Sequence, residues 1–208
     1  MRYLVAVLAV VAMVTGGERQ AKADPGFALV WITTLAAGGA ALAGDYLRGN
    51  DPFDLDRIPK DPDYLTFGAG AYNVVPDNER DNDLLGHFRF EYRPAYQFWV
   101  IRPFLGAEFT HAGSFYGYFG FMGDIRFGDH WILSPNAAVG YYEEGGARDL
   151  GNPVEFRTGL ELAYRFDDGL RVGVAYHHMS NADLGDKNPG VETLGLNVSV
   201  PIQYFFGN

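Results

Sequence analysis

Residues 154–166 decide the fold class, and they read Val-Glu-Phe-Arg-Thr-Gly-Leu-Glu-Leu-Ala-Tyr-Arg-Phe. Every even-numbered position in this stretch is apolar except Thr158, and every odd-numbered position is charged or small. A repeat of two residues is the period of a β-strand, whose successive side chains point to opposite faces. The stretch is therefore predicted to be a strand with one apolar face and one polar face.

The same alternation recurs along the chain after residue 64, for example where Phe88, Phe90 and Tyr92 alternate with charged residues. We predict eight strands, near residues 65–74, 85–93, 97–109, 114–127, 130–142, 154–166, 170–180 and 191–206. Short turns after the second, fourth and sixth strands alternate with mostly longer, polar loops after the others. Short connections at one rim and long ones at the other predict an all-β fold, an eight-stranded antiparallel up-and-down β-barrel.

The polar face of these strands carries charges of both signs, which distinguishes two kinds of barrel. With the interleaved Gly and Ala, such charges can fill a narrow interior as a salt-bridged plug. These residues are Arg89, Glu91, Arg93, Arg102, Glu108, Asp124, Arg126, Glu155, Arg157, Glu161, Arg165 and Arg171. The opposite face is apolar over strands long enough to match the roughly 9–11 residues that cross a bilayer at a tilt. The pattern favours a transmembrane barrel over a soluble barrel with an apolar, ligand-binding interior.

Aromatic residues near the strand ends agree with this interpretation, because such residues form girdles at membrane interfaces. They are Tyr92, Trp99, Trp131, Tyr141 and Tyr204. The 208 residues are 48% hydrophobic, which suffices for one folded domain, and 27 Gly with 15% aromatics favour strands. A net charge of -10 argues against a nucleic-acid partner. The absence of Cys excludes disulfides, thiolate chemistry and Cys-bound zinc.

The N-terminus has the order of a secretory signal: a basic Met1-Arg2, an apolar run to Val14, and Ala21-Lys22-Ala23. We expect a signal peptide over residues 1–23. A second apolar run, Phe27–Ala43, leaves open a cleavage as late as residue 43, a retained apolar segment or a short membrane helix. Residues 24–63 are then an N-terminal apolar segment with an Asp- and Pro-rich linker, and residues 64–208 form the outer-membrane barrel.

Two polar side chains interrupt the apolar face of the seventh predicted strand. His178 and Ser180 share a face with Tyr176 and stand roughly 6.6 Å apart at the backbone, within reach of a hydrogen bond between their side chains. On the eighth strand the same alternation turns Glu192 outward with Leu194. A hydroxyl, an imidazole and a carboxylate thus meet outside the barrel at its loop-side rim, as nucleophilic catalysis requires.

Each of these residues taken singly is also compatible with polar decoration of the rim. His177 points to the other face and is predicted to belong to the interior plug. Glu143, Glu144 and Asp149 are predicted to be solvated charges of a loop.

The segments His178-Met179-Ser180-Asn181-Ala182 and Asn188-Pro189-Gly190-Val191-Glu192 resemble the active-site signature of the lipid A 3-O-deacylases, the PagL-type outer-membrane esterases. The resemblance implies that Ser180 is the nucleophile, His178 its general base and Glu192 the carboxylate that orients the imidazole. It also assigns Asn188 to the oxyanion hole, with a backbone N–H near Ala182 or Leu184 as a second donor. Asn181 matches a neighbouring asparagine of the motif.

The resemblance further implies a two-step hydrolysis of the 3-hydroxyacyl ester at position 3 of lipid A, without metal or cofactor. The expected partners are lipid A, lipopolysaccharide and outer-membrane lipids, and the expected location is the bacterial outer membrane. Monomer and homodimer both stay open. Two alternative functions are a structural or adhesive barrel without catalysis and a related enzyme that transfers an acyl chain.

Overall fold

The strands of the chain pair into a single antiparallel sheet in the computed structural model. The structure describes residues 60–75, 84–98 and 101–206, together with isolated positions between 32 and 48. Within these residues the strands are β1 (Tyr64–Tyr72), β2 (Leu85–Arg93), β3 (Ile101–Thr110), β4 (Phe115–Gly123), β5 (Ile125–Phe127), β6 (Trp131–Glu143), β7 (Val154–Arg165), β8 (Arg171–Ser180) and β9 (Val191–Pro201). A short helix, Gln203–Phe206, follows β9.

The sheet closes on itself, because β1 pairs with β9 and β4 pairs with β6. Both β4 and β5 pair with β6 in one continuous register, in which Met122 faces Asn136 and Ile125 faces Leu133. Asp124 only interrupts what is otherwise one long strand, so the barrel has eight strands. The predicted fold class is confirmed, and closure leaves no unpaired strand edge.

Three predicted strand boundaries differ from those of the structure. The last strand was predicted to reach 206 but ends at Pro201, after which residues 203–206 turn into the short helix that carries Tyr204. The third strand was predicted from 97, but its continuous pairing begins at Ile101. The first strand ends at Tyr72 rather than 74, because Asn73 adopts a left-handed backbone with φ 65°.

All twelve charged residues predicted for the polar face lie inside the barrel, most of them fully buried. Arg93 lies 2.7 Å from Glu91 and 2.8 Å from Glu161. Arg157 contacts Glu91 at 3.0 Å and stacks over the ring of Tyr118, 4.0 Å from its centroid. The positive charges of the guanidinium groups and the negative charges of the carboxylates offset one another inside the barrel, so the interior is a salt-bridged plug.

Near the start of β1 and the end of β9, the interior contains a residue that the sequence analysis had placed in the linker. Asp61 precedes β1, and its carboxylate lies 2.8 Å from Arg102 and 2.6 Å from Arg171. Arg126 and Arg165 bind the same carboxylate. One acidic side chain from outside the strands therefore gathers four arginines.

The outer surface is apolar along the strands, as a transmembrane barrel requires. Its exposed side chains include Phe88, Phe90, Leu105, Phe119, Phe121, Leu162, Val174 and Leu196. Trp131 and Tyr141 are exposed at opposite ends of β6, where interfacial aromatics are expected.

Several predictions for the N-terminal part fall on residues outside the described ranges. They concern the signal peptide over 1–23, its alternative cleavage site and most of the segment 24–63, and Trp99 is likewise outside. In the part of the chain that the structure describes, no helix combines the length and the apolar character of a membrane span.

Candidate active site

The alternation of β8 places His178 and Ser180 on the outer wall of the barrel. Arg171 and His177 are buried in the interior, whereas Val172 and Val174 are exposed on the outside. The even-numbered residues of β8 therefore point outward. His178 and Ser180 fall in the outward set. They lie at the end of β8 that leads into the loop 181–190.

His177 lies on the other side of the same wall, as predicted. One terminal nitrogen of the Arg89 guanidinium is 2.8 Å from Nδ1 of His177. Arginine only donates hydrogen bonds, so the imidazole of His177 is the acceptor and is neutral. His177 therefore belongs to the plug and is separated from His178 by the barrel wall.

Glu192 and His178 form a direct pair on the outer face. The two residues are register partners on β9 and β8, and Oε1 of Glu192 is 3.0 Å from Nδ1 of His178. An ionised carboxylate only accepts, so the hydrogen of the imidazole is on Nδ1. Nε2 is then left as the basic nitrogen, the tautomer that a general base needs.

The imidazole of His178 is only 4% exposed although it points away from the barrel. Gly190, just before β9, has φ 64°, and a Cβ on it would stand 3.0 Å from Cε1 of His178. The backbone of this glycine thus lies against the imidazole edge, and a side chain here would push the ring. The sequence analysis did not single out Gly190, and the Pro189-Gly190 dipeptide was the only signal of a special backbone.

Thr158 flanks His178 on the side opposite Glu192. It is the register partner of His178 on β7, so Glu192, His178 and Thr158 form one row across three strands. Among the described residues its hydroxyl oxygen is buried without a hydrogen-bond partner. Thr158 was the one exception to the apolar face of residues 154–166, which is the signal that could have assigned it to the site.

The turn that follows Ser180 is held by Asn181, which is completely buried. Its side-chain amide donates to the backbone oxygens of Leu150, at 2.7 Å, and Lys187, at 2.8 Å. Asn181 therefore joins the loop between β6 and β7 to the loop between β8 and β9. This gives the motif asparagine a positioning role directly beside the candidate nucleophile.

The backbone after Asn181 is strained. Ala182 and Asp183 both adopt left-handed conformations, with φ 53° and 62°. Such a conformation costs a residue with a Cβ about 1–2 kcal/mol. The chain accepts this cost at the point where the strand bearing Ser180 must turn sharply into the loop, and strain of this kind gathers at functional sites.

Asn188 lies in the same loop, and its amide is partly engaged. Oδ1 accepts a hydrogen bond from the backbone N–H of Asn181 at 3.0 Å, and Nδ2 donates to Oδ1 of Asp183 at 3.1 Å. An amide nitrogen has two hydrogens, so one more remains to donate to an oxyanion. Of the two backbone donors considered, the N–H of Leu184 is bound to the oxygen of Asn181, which favours the N–H of Ala182.

The structure thus brings His178 and Glu192, the candidate base and carboxylate, into contact. Ser180 lies on the same face, at the next outward position of β8. Asn181, Ala182 and Asn188 lie in the adjoining loop. A hydroxyl on the same face as a carboxylate-bound imidazole, with amide donors in the adjoining loop, is suited to acyl transfer. The site faces the apolar surroundings of the barrel near the loop-side rim.

Comparison with known proteins identifies the family to which this chain belongs. The family model for lipid A 3-O-deacylase (PagL) matches residues 71–201, well over half of the chain. The crystal structure of the outer membrane enzyme PagL is similar, with a TM-score of 0.53, 21% identity, and coverage of 67% of this chain and 99% of that chain. Neisserial surface protein A is also similar, with a TM-score of 0.50, 11% identity, and coverage of 67% and 96%.

These two structural likenesses concern the fold. A search of curated proteins gave no match. The family match covers β2 to β9 and includes every residue of the outward site. The resemblance found in the motif is confirmed: the chain belongs to the lipid A 3-O-deacylase (PagL) family, a family of ester hydrolases of the bacterial outer membrane.

Proposed function

We propose that this protein is a serine esterase that removes the 3-O-linked 3-hydroxyacyl chain of lipid A and so remodels lipopolysaccharide. The observation that carries the proposal is the outward pair of His178 and Glu192, whose Nδ1 and Oε1 atoms are 3.0 Å apart. Ser180 lies two residues after His178, on the same face of β8. Family membership supports the substrate, and the geometry supports the serine mechanism.

The first step forms an acyl-enzyme. Oγ of Ser180 attacks the ester carbonyl while Nε2 of His178 takes the hydroxyl proton, and Glu192 stabilises the imidazolium through Nδ1–H. The negative charge on the carbonyl oxygen is met by the remaining amide hydrogen of Asn188 and by the N–H of Ala182. The intermediate collapses when the imidazolium returns its proton to the sugar oxygen, which leaves as the free 3-hydroxyl.

The second step consumes one water. His178 takes a proton from this water, whose oxygen attacks the acyl carbon, and the proton then passes to Oγ of Ser180 as the free 3-hydroxy acid departs. The products are one fatty acid and lipid A with one chain fewer, and Ser180 is regenerated.

The position of the site suits this substrate. An acyl ester of a glycolipid lies just below the headgroup plane, at the depth of the loop-side rim. An even-stranded barrel keeps its termini and short turns in the periplasm, so the rim with the long loops faces the outer leaflet. The enzyme then acts on a lipid that stays in its own leaflet.

The proposal is tested by mass spectrometry of lipid A from cells that express the wild type, Ser180→Ala or no barrel. We expect loss of one 3-hydroxyacyl chain with the wild type only. The heat-induced gel shift of folded barrels provides the control that Ser180→Ala is folded to the same extent.

Three other results of this experiment would contradict all or part of the proposal. Identical spectra for the wild type and the empty cells would overturn the proposal and favour a structural barrel. Loss of the chain with both wild type and Ser180→Ala would retain the activity but remove Ser180 as nucleophile. Added acyl mass on an acceptor would replace hydrolysis by acyl transfer.

A further inference from the structure

The charges on the loop-side rim single out one lysine. The protein has a net charge of -10, and exposed carboxylates on this rim include Glu143, Glu144 and Asp183. Among the described rim residues, 73–75, 84, 111–114, 144–153 and 181–190, Lys187 is the only exposed Lys or Arg, with 54% of its side chain accessible. Arg148, the other cation of these loops, is buried. Within these described residues, an anionic substrate that approaches the rim therefore meets one exposed cation in acidic surroundings.

The backbone of Lys187 is fixed relative to the candidate nucleophile. Its carbonyl oxygen accepts a hydrogen bond of 2.8 Å from the buried side chain of Asn181, the residue after Ser180. Gly151 packs against the same carbonyl so closely that a Cβ would collide with it. The position from which the lysine side chain extends is thus set by the same contacts that shape the turn after Ser180.

The ammonium group of Lys187 is bound to an exposed carboxylate. Nζ is 2.7 Å from Oδ2 of Asp149, in the loop between β6 and β7. The hydrogen bond from Lys187 lowers the pKa of Asp149, so this carboxyl group is ionised at neutral pH. The pair joins the loop that leads into β7 to the loop that follows β8, and Ser180 lies at the end of β8 where these two strands adjoin. Exposed ion pairs of this kind contribute little to stability, so a second anion can take the place of Asp149 at low cost.

We propose that Lys187 binds a phosphate group on the glycolipid headgroup and thereby makes phosphorylated lipid A the preferred substrate. The proposal rests on the function proposed above, because it concerns the substrate of that same site. Lipid A is a phosphorylated disaccharide whose phosphates lie at the level of the headgroups, above its ester bonds. A lysine at the rim above an outward esterase site is at the matching level, and an ammonium group is a common ligand of phosphate.

The test compares two substrates with purified full-length barrel in detergent: lipid A with its phosphates, and the same lipid A after enzymatic dephosphorylation. With phosphorylated lipid A, Lys187→Ala should raise KM about three- to ten-fold with kcat little changed, the effect of one exposed charge contact. With dephosphorylated lipid A, the wild type and Lys187→Ala should have equal KM. Lys187→Arg should restore most of the affinity for the phosphorylated substrate.

Asp149→Ala is the matched control, since it removes the ion pair but keeps the ammonium group. If Lys187 only braced the two loops, Asp149→Ala would raise KM as much as Lys187→Ala does, and for both substrates. The proposal expects an unchanged or lower KM for Asp149→Ala with phosphorylated lipid A. Equal effects of Lys187→Ala on the two substrates would overturn it.

A binding measurement separates this inference from the proposed function. In the Ser180→Ala background, which cannot use the proposed nucleophile, we expect Lys187→Ala to weaken binding of phosphorylated lipid A and to leave that of dephosphorylated lipid A unchanged. Phosphate-dependent binding by a wild type that hydrolyses neither lipid would retain the inference and overturn the esterase. Hydrolysis with binding that ignores both phosphate and Lys187 would do the reverse.

Discussion

His177 and His178 are adjacent in the chain and lie on opposite sides of the barrel wall. His177 accepts a hydrogen bond from Arg89 inside the plug, while His178 is bound to Glu192 on the outside, beside Ser180. The residue type is the same, and both imidazoles are buried. What separates their roles is strand alternation, which gives one imidazole to the plug and the other to the rim.

The carboxylates show the same division. Glu161 lies in the interior, bound to Arg93 and Asn197, so its charge is neutralised by a fixed cation. Glu192 lies outside and is bound to the imidazole of His178, whose charge would change in the proposed mechanism. Interior polar contacts thus maintain the fold, whereas the outward contacts join the groups to which the proposed mechanism assigns proton transfer.

The largest expected effect on activity, and the sharpest test of the comparison, comes from substituting the two histidines. We expect His178→Asn to lower kcat/KM for lipid A about 10⁴-fold or more, because the general base is lost, with little change in the folded barrel. His177→Asn should keep activity near the wild type but destabilise the barrel by about 1–3 kcal/mol, through imperfect replacement of a buried acceptor. Hydrolysis assays and the temperature of the gel shift measure the two effects, and equal losses of activity would abolish the distinction.

The carboxylates should follow with a smaller effect on activity. Glu192→Gln should lower kcat about 10²- to 10⁴-fold, because the imidazole loses the charge that orients it and stabilises its protonated form. Glu161→Gln should leave hydrolysis intact and cost about 3–5 kcal/mol of stability, because a buried ion pair is broken. Urea unfolding in detergent, beside the kinetic assay, reports both. An inactive but stable Glu161→Gln barrel would contradict the assignment of this carboxylate to the plug.

The smallest effect concerns the glycine that covers the base. Gly190→Ala should lower kcat about 10- to 100-fold, because its Cβ displaces the imidazole of His178 from its position. Gly113→Ala is the control, since Gly113 also has a positive φ, 88°, but has open space where its Cβ would lie. The control should share the backbone strain and keep the activity. If both variants lost activity equally, strain rather than contact with His178 would be the cause.

Much of the fold and of the outward site could be predicted from the sequence, because both depend on alternation. A period of two gives the number of strands and the face of each side chain, so the interior charges and the outward His178 follow from position alone. A barrel is also stable in a bilayer only if its outer face is apolar, which the strands satisfy. The candidate triad therefore needed no knowledge of distant contacts beyond one hairpin.

The features that were missed depend on backbone geometry and on contacts between segments. Alternation carries no information about Gly190, whose importance lies in a backbone that approaches an imidazole. Asn181 connects two loops through backbone oxygens, which no sequence motif records. Asp61 lies before the first strand, in a stretch whose composition is that of a linker, and its destination depends on four arginines far along the chain.

Asp61 has a consequence for how the barrel assembles. The arginines it binds belong to β3, β5, β7 and β8, strands spread around the circumference. Their guanidinium groups face one another in the closed ring, where they repel one another unless anions lie among them. Docking of the segment before β1 and completion of the ring are thereby coupled events. In a chain shortened to begin at Tyr64, Asp124 would be the one remaining carboxylate among the described residues that forms an ion pair with this cluster of positive charge.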